Sequence, residues 1–462
     1  MHPTSEPANT PPVSNIQGNL ILAQAELLSN SGSRHWLFAG TAIRMAEVMR
    51  LNKDFHQKHS PKDQEIRRRT FWACLLFDRA LAYFLAKHRS VDLDNVGIPV
   101  PDSDLSLVYE EGTRGVTIDD LASYPRPSDL GLNPYLIKTV CLWSSLADFA
   151  VYSRRRLDKF PPTDPRSVLH TRYSALQAWI GALHPSLRWS LDIFKTHCAL
   201  GNGRSFVAMH FLTCSAACVA HQCYLPHLAM YTQLVDLTDA AGWSYLHRDQ
   251  SLIDVCVSNA LKVGEMLSHL MHPEQEHGRS SLQTIWVASS TLIAANTLLW
   301  LRYAQDEAYR DEETQQKAQS YFDLIEELIS SWSSEWNAAK QWLMALNVMR
   351  ALYKAAYRGE VQEHILSPGI TTSPPADDDP TDDFRPQPGD GYPSLMSLPN
   401  LQACIKFTTG DTSARFIDIQ SVWLQLSGGW PYGFTSPEPL AGQASEVQID
   451  YSMLNNPALA GL

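Results

Sequence analysis

The chain has 462 residues, 44% of them hydrophobic, with 13 Trp, 17 Tyr and 15 Phe, so it holds enough apolar surface for a large core and wholesale disorder is excluded. Its formal net charge is −12. A domain that grips nucleic acid by itself needs a basic face to neutralise phosphates, and no basic excess exists here.

Residues 1–16 read as a disordered lead rich in Pro, Ser and Thr, without the basic and apolar regions of a signal peptide. From residue 17 to residue 360 the pattern is helical almost throughout. Residues 252–270 place Ile253, Cys256, Val257, Ala260, Val263 and Leu267 on one face. Phe322, Ile325, Ile329, Trp332, Trp336, Ala339, Leu343 and Leu346 follow in steps of three and four, which predicts one long amphipathic helix. The uncharged stretch 280–301 carries several Ser and Thr residues plus Gln283 and Asn296. That is too polar for a comfortable membrane span and reads as a buried helix. Alternating β-branched runs and hairpin turns are scarce. The expected fold is all-α, a multi-helical domain of antiparallel helical hairpins. A Pro/Asp-rich linker over 361–400 and a flexible C-terminal tail over 401–462 complete the expected organisation.

The eight cysteines, from Cys74 to Cys404, sit mostly in apolar stretches and read as reduced thiols of an intracellular protein. His210, Cys214, Cys218 and His221 share a helical stripe, a pattern that invites a zinc reading. One straight helix aims only about two neighbouring side chains at an ion, so the stripe reads as core. Asp378, Asp379 and Asp382 have the spacing of a magnesium motif of all-α diphosphate enzymes. Pro380 within it and Pro374, Pro375 and Pro386 around it break the helix that such a motif needs. Arg154, Arg155 and Arg156 form a free basic cluster of the kind that serves as a surface signal.

Residues 36–101 carry the most information. Ser60 and Pro61 suit the N-cap and first position of a helix. That helix is apolar nearly all round from Phe71 to Phe84, so it is buried. It nevertheless carries Glu65, Arg67, Arg68, Arg69, Asp78 and Arg79, and buried charges must be paired. Glu65 and Arg69 stand four residues apart and can pair along one face. Arg44, on the preceding helix, is the expected partner of Asp78. Ala39 and Gly40 would allow two helices to approach closely. The expected picture is a helical hairpin with an ion-pair network clamped inside it. Arg44, Glu65, Arg69, Trp72, Asp78 and Arg79 are its organisers, with no catalytic, cofactor or metal role.

These segments, Ala42-Ile-Arg-Met-Ala46, Glu65-x-Arg-Arg-Arg-x-Phe-Trp72, Asp78-Arg79 and Ile98-Pro-Val-Pro101, resemble in order and spacing the regulatory region of fungal zinc binuclear cluster transcription factors. The resemblance continues more weakly through Trp179 to Leu187 and Met209 to Leu225, as far as Tyr357. It departs at Lys87-His88-Arg89, where the family usually has Gly-Arg-Pro. The resemblance implies a nuclear transcription regulator whose helical domain senses a small-molecule effector or dimerises with itself or a relative. The family's six-cysteine zinc cluster has no counterpart here, since the first cysteine is Cys74. No cofactor is therefore expected in this chain. DNA would be reached only through a zinc-cluster domain N-terminal to it or on a partner, and no membrane contact is expected. Two readings stand beside this one: a magnesium-dependent all-α enzyme of the terpene-synthase kind, and a stand-alone homologue that inhibits full-length factors by dimerising.

Overall fold

The computed structural model describes residues 12–29, 34–53, 59–84, 88–151, 158–225, 249–304 and 307–358. Among the described residues the regular elements are all helical: α1 (Val13–Ser29), α2 (Arg34–Val48), α3 (Pro61–Phe84), α4 (Asp104–Val108), α5 (Pro127–Leu130), α6 (Asn133–Val151), α7 (Val168–Ala182), α8 (Leu191–Ala199), α9 (Gly203–His221), α10 (Gln250–Met271), α11 (Gly278–Leu282), α12 (Ile285–Tyr303), α13 (Glu312–Trp332) and α14 (Asn337–Tyr357), with short 3₁₀ turns between them. The all-α expectation holds. The expected linker and tail, the basic cluster 154–156 and the acidic motif 378–382 lie outside the described residues.

Local chemistry sets many of the helix starts. Ser60 Oγ accepts from Asp63 N–H at 3.1 Å at the start of α3, as the Ser-Pro pair predicts. Thr284 caps α12 through Val287 N–H at 3.1 Å, and Asp311 caps α13 through Thr314 N–H at 2.7 Å. Each bond satisfies an amide that a helix start would otherwise leave without a partner.

The core is built around α9 and α12, which pack on each other and are buried over most of their length. Around them lie α6, α10, α13 and α14, and α3 packs on α6. α1 and α2 pack together against α3, and α1 also meets α14, so the first and last described helices touch. Gly203–Tyr224 is long and apolar enough to cross a membrane, but its side chains are covered by the neighbouring helices, as in the core helix of a folded domain. The stretch 280–301 lies mostly in α12 and is buried.

The long helix expected through Phe322 and Leu346 is two helices. It breaks after Trp332, where Ser333, Ser334, Glu335 and Trp336 turn the chain. The Glu335 and Trp336 amides both reach back to Trp332 O, at 3.0 and 2.8 Å. The apolar stripe continues across the break because α13 and α14 pack on each other and both face α12. Two serines and an asparagine favour turns over helix interior, a local preference that the unbroken stripe concealed.

Gly40 does not mediate a close approach: a Cβ there would meet nothing within 4 Å. One close approach lies between α10 and α13, where a Cβ on Gly264 would run into Cβ, Cγ and Cδ2 of Tyr321. Gly264→Ala is expected to cost about 1–3 kcal/mol through overpacking. Gly40→Ala should gain about 0.5–1 kcal/mol from helix propensity. Urea unfolding of the two variants reads both signs, and destabilisation by Gly40→Ala would contradict this assignment.

Candidate functional site

The charged residues of α3 hold an extended segment against the helix. At the C-terminal end, Asp78 and Arg79 are 5% and 2% exposed. Asp78 accepts from Ser90 N–H at 2.7 Å and Val91 N–H at 3.1 Å. Arg79 donates to Asp78 at 2.6 Å and to Val91 O at 2.7 Å. Two turns back, Trp72 Nε1 donates to Pro99 O at 2.9 Å. Near the N-terminal end, Glu65 takes Arg69 Nε at 2.8 Å, Arg68, and Asp102 N–H at 3.1 Å. Arg69 also donates to Asp102 O at 2.8 Å and Asp104 at 2.5 Å. Reading α3 from residue 79 back to 65 meets the segment from 90 on to 104, so the two run in opposite directions, joined at three levels.

This arrangement corrects the expected one. The network does not lie between α2 and α3. Arg44 is exposed and pairs with Glu47 three residues on, at 2.6 Å, while Asp78 is satisfied by Arg79 and two backbone amides. An exposed Arg gains more from a neighbour on its own helix than from entering a site whose acceptors are already engaged. The Glu65–Arg69 pair forms at its i, i+4 spacing. Glu65, Arg69, Trp72, Asp78 and Arg79 thus meet one segment, and Arg44 does not join them.

Burial pushes the Glu65 and Asp78 carboxyls above their ordinary range. Arg68 and Arg69 partly offset this for Glu65, as do the Ser90 and Val91 amides and Arg79 for Asp78. Burial lowers the Arg79 pKa despite Asp78. For Arg69, burial opposes the charge, but Glu65 and Asp104 outweigh it and the pKa rises.

The His/Cys stripe is core. His210 Nε2 lies 3.0 Å from Leu187 O and His221 Nδ1 lies 2.8 Å from Ala217 O. A carbonyl only accepts, so His210 carries its proton on Nε2 and His221 on Nδ1. Burial lowers both rings to about 4. Cys218 and Cys256 thiols each donate to the other residue's carbonyl, at 3.4 and 3.7 Å. Among the described residues no cluster of three or more His, Cys, Asp or Glu has a metal-binding arrangement.

Beside the clamp lies a cavity of about 330 Å³ between α1, α3, α6, α9 and the start of α12. Its walls are mainly apolar, including Leu28, Phe77, Leu136 and Ile137, with Trp72, Trp286 and Trp336 around them. Arg69 and Arg204 are its charged wall residues among the described residues. A mostly apolar cleft of this size with a few polar groups suits a small molecule. Arg69 and Trp72 belong to both clamp and cavity, so a ligand here would touch the residues that hold the 90–104 segment. No local sequence pattern marks the cavity, because its wall comes from segments as far apart as residues 24 and 336. A second hollow, about 640 Å³, borders α2 and includes Gly40, Arg44 and Asp78.

Residues 5–181 match the family model described as the fungal specific transcription factor domain. The match spans α1 to α7 and includes both ends of the clamp. An uncharacterized transcriptional regulatory protein of Schizosaccharomyces pombe is 25% identical over 228 residues, 43% of this chain and 22% of that protein. A Zn(2)-C6 fungal-type transcription factor of Fusarium oxysporum is 25% identical over 211 residues, 41% of this chain and 23% of its own length. A second Schizosaccharomyces pombe protein named as an uncharacterized transcriptional regulatory protein is 27% identical over 229 residues, 43% of this chain and 33% of that protein. The aligned region thus spans a third or less of each of these relatives. No solved structure matches the chain.

Proposed function

We propose that this chain, whose residues 5–181 match the fungal specific transcription factor domain, is a transcription regulator that acts in the nucleus as a regulatory, non-enzymatic module. The match over those residues is the observation that carries this reading, and relatives named as transcriptional regulators support it. We take residues 17–360 as one regulatory unit, a reading supported by the shared α9–α12 core and the contact of α1 with α14. DNA is read by a zinc-cluster domain outside the described residues or on a partner chain. The net charge of −12 supports that division of labour. Zinc belongs to that reader, and dimerisation with a second copy or a relative would supply the partner. The regulatory signal is a small molecule in the cavity beside α3. It biases two states of the domain by binding them with different affinity.

The test is a tethered reporter. The full chain fused to an unrelated DNA-binding domain is expected to change transcription at least threefold relative to that domain alone. Reporter output indistinguishable from the DNA-binding domain alone, with the fusion present at equal level, overturns the reading.

A further inference from the structure

The charged groups of the cavity wall among the described residues carry one sign. Among the described residues its wall contains Arg69 and Arg204 and no Asp or Glu, in a chain whose net charge is −12. Arg69 is already committed to Glu65, Asp104 and Asp102 O. Arg204 is not: its Nε donates to Ser280 O at 3.1 Å, and it forms no ion pair among the described residues. Three long helices begin at the same wall, with Asn133 opening α6, Arg204 and Ser205 in the first turn of α9, and Thr284 to Trp286 opening α12. None of the three has an acid in its first turn, and Asn202 makes no side-chain cap at α9. Their positive ends therefore add to the Arg204 charge. Of the acids that bond to wall residues among the described residues, Glu65 and Asp104 pair with Arg69, and Glu335 accepts from Gln283 Nε2 at 2.6 Å.

We infer that this cavity binds an apolar small molecule carrying one carboxylate. The carboxylate meets Arg204, and the apolar body lies among Leu28, Phe77, Leu136 and the tryptophans. Arg204 is exposed, so it stands at the mouth. A carboxylate there keeps part of its hydration and avoids the cost of a fully buried charge. Arg204 offers its remaining guanidinium N–H groups as charge-assisted donors. The use of this site as a switch rests on the regulatory reading above. Occupancy is measured on the purified full chain and involves no transcription, so the two claims fail separately.

The probes are decanoate and the neutral decanol, both below the concentration at which decanoate forms micelles, titrated by calorimetry with tryptophan fluorescence alongside. Trp72, Trp286 and Trp336 line the cavity and report its filling. Decanoate is expected to bind with one site per chain, at least tenfold more tightly than decanol. Arg204→Gln should weaken decanoate at least tenfold and leave decanol unchanged. Ala73→Trp fills the cavity from a half-buried position and should abolish binding of both, with thermal melting confirming that each variant folds. Equal affinity for the acid and the alcohol overturns the proposal. So does decanoate binding that survives Arg204→Gln or Ala73→Trp in a folded protein, or no decanoate binding at all.

Discussion

Acidifying the protein from pH 7 to pH 4.5 is expected to remove about 5 kcal/mol of folding stability through two buried histidines. His210 and His221 are held at about 4 by burial, against 6.5 for a free side chain. Between those values the unfolded chain takes up two protons that the folded chain refuses. The contribution is fully present above pH 6.5 and is lost as pH falls toward 4. Each ring withholds about 3 kcal/mol at most, since one pKa unit corresponds to about 1.4 kcal/mol. Glu65 and Asp78 act in the opposite direction. Their raised pKa values mean that the folded state accepts their protons first, which softens the loss at the acid end of the window. Urea unfolding at half-unit steps from pH 7.5 to 4.5 measures the slope. The variants His210→Gln and His221→Gln should each flatten it, and a wild-type profile that stays level or rises on acidification would contradict the assignment.

Asp78→Ala is expected to cost about 3–5 kcal/mol, because it leaves the Arg79 guanidinium buried without its carboxylate and removes the acceptor from two backbone amides. Those amides, Ser90 and Val91, fix one end of the segment that Trp72 and Glu65 hold further along. The double variant Asp78→Leu/Arg79→Leu removes both charges together and should recover part of the loss, since a buried pair replaced by apolar groups leaves no lone charge. Thermal melting and urea unfolding read both variants. An Asp78→Ala protein that melts with the wild type would show that Asp78 does not hold the segment.

Helix identity was readable where one face alternates cleanly, as in α10, whose stripe from Ile253 to Leu267 is buried as its spacing predicts. It was also readable in α3, where Ser60 and Pro61 mark the start and the apolar residues from Phe71 onward mark the burial. The α13–α14 turn was hidden because two helices packed on the same neighbour keep one continuous stripe, and only Ser333, Ser334 and Asn337 hinted at the break. The end of α2 was equally quiet. Arg50 takes a left-handed φ of 53° without a glycine to announce it, and Leu51 N–H reaches back to Ala46 O at 3.0 Å.

For the site, the sequence showed that α3 must carry paired charges and that Glu65 meets Arg69, but not what meets Asp78 and Arg79. Among side-chain partners it pointed to Arg44 for Asp78. Most of the partners are backbone groups of Ser90, Val91, Pro99 and Asp102, which carry no residue-type signal. Gly264 had a signal that was overlooked, a glycine in the middle of a strongly periodic helix, where only a close neighbour explains the lost propensity. The cavity had none, because no stretch of sequence contains more than a small part of its wall.

The most direct test of the regulatory account is chromatin immunoprecipitation of the tagged protein expressed from its own locus, paired with transcript levels after deletion of its gene. The account predicts enrichment at a discrete set of promoters whose transcripts change on deletion. No enriched promoter, together with transcripts that deletion leaves unchanged, would contradict it.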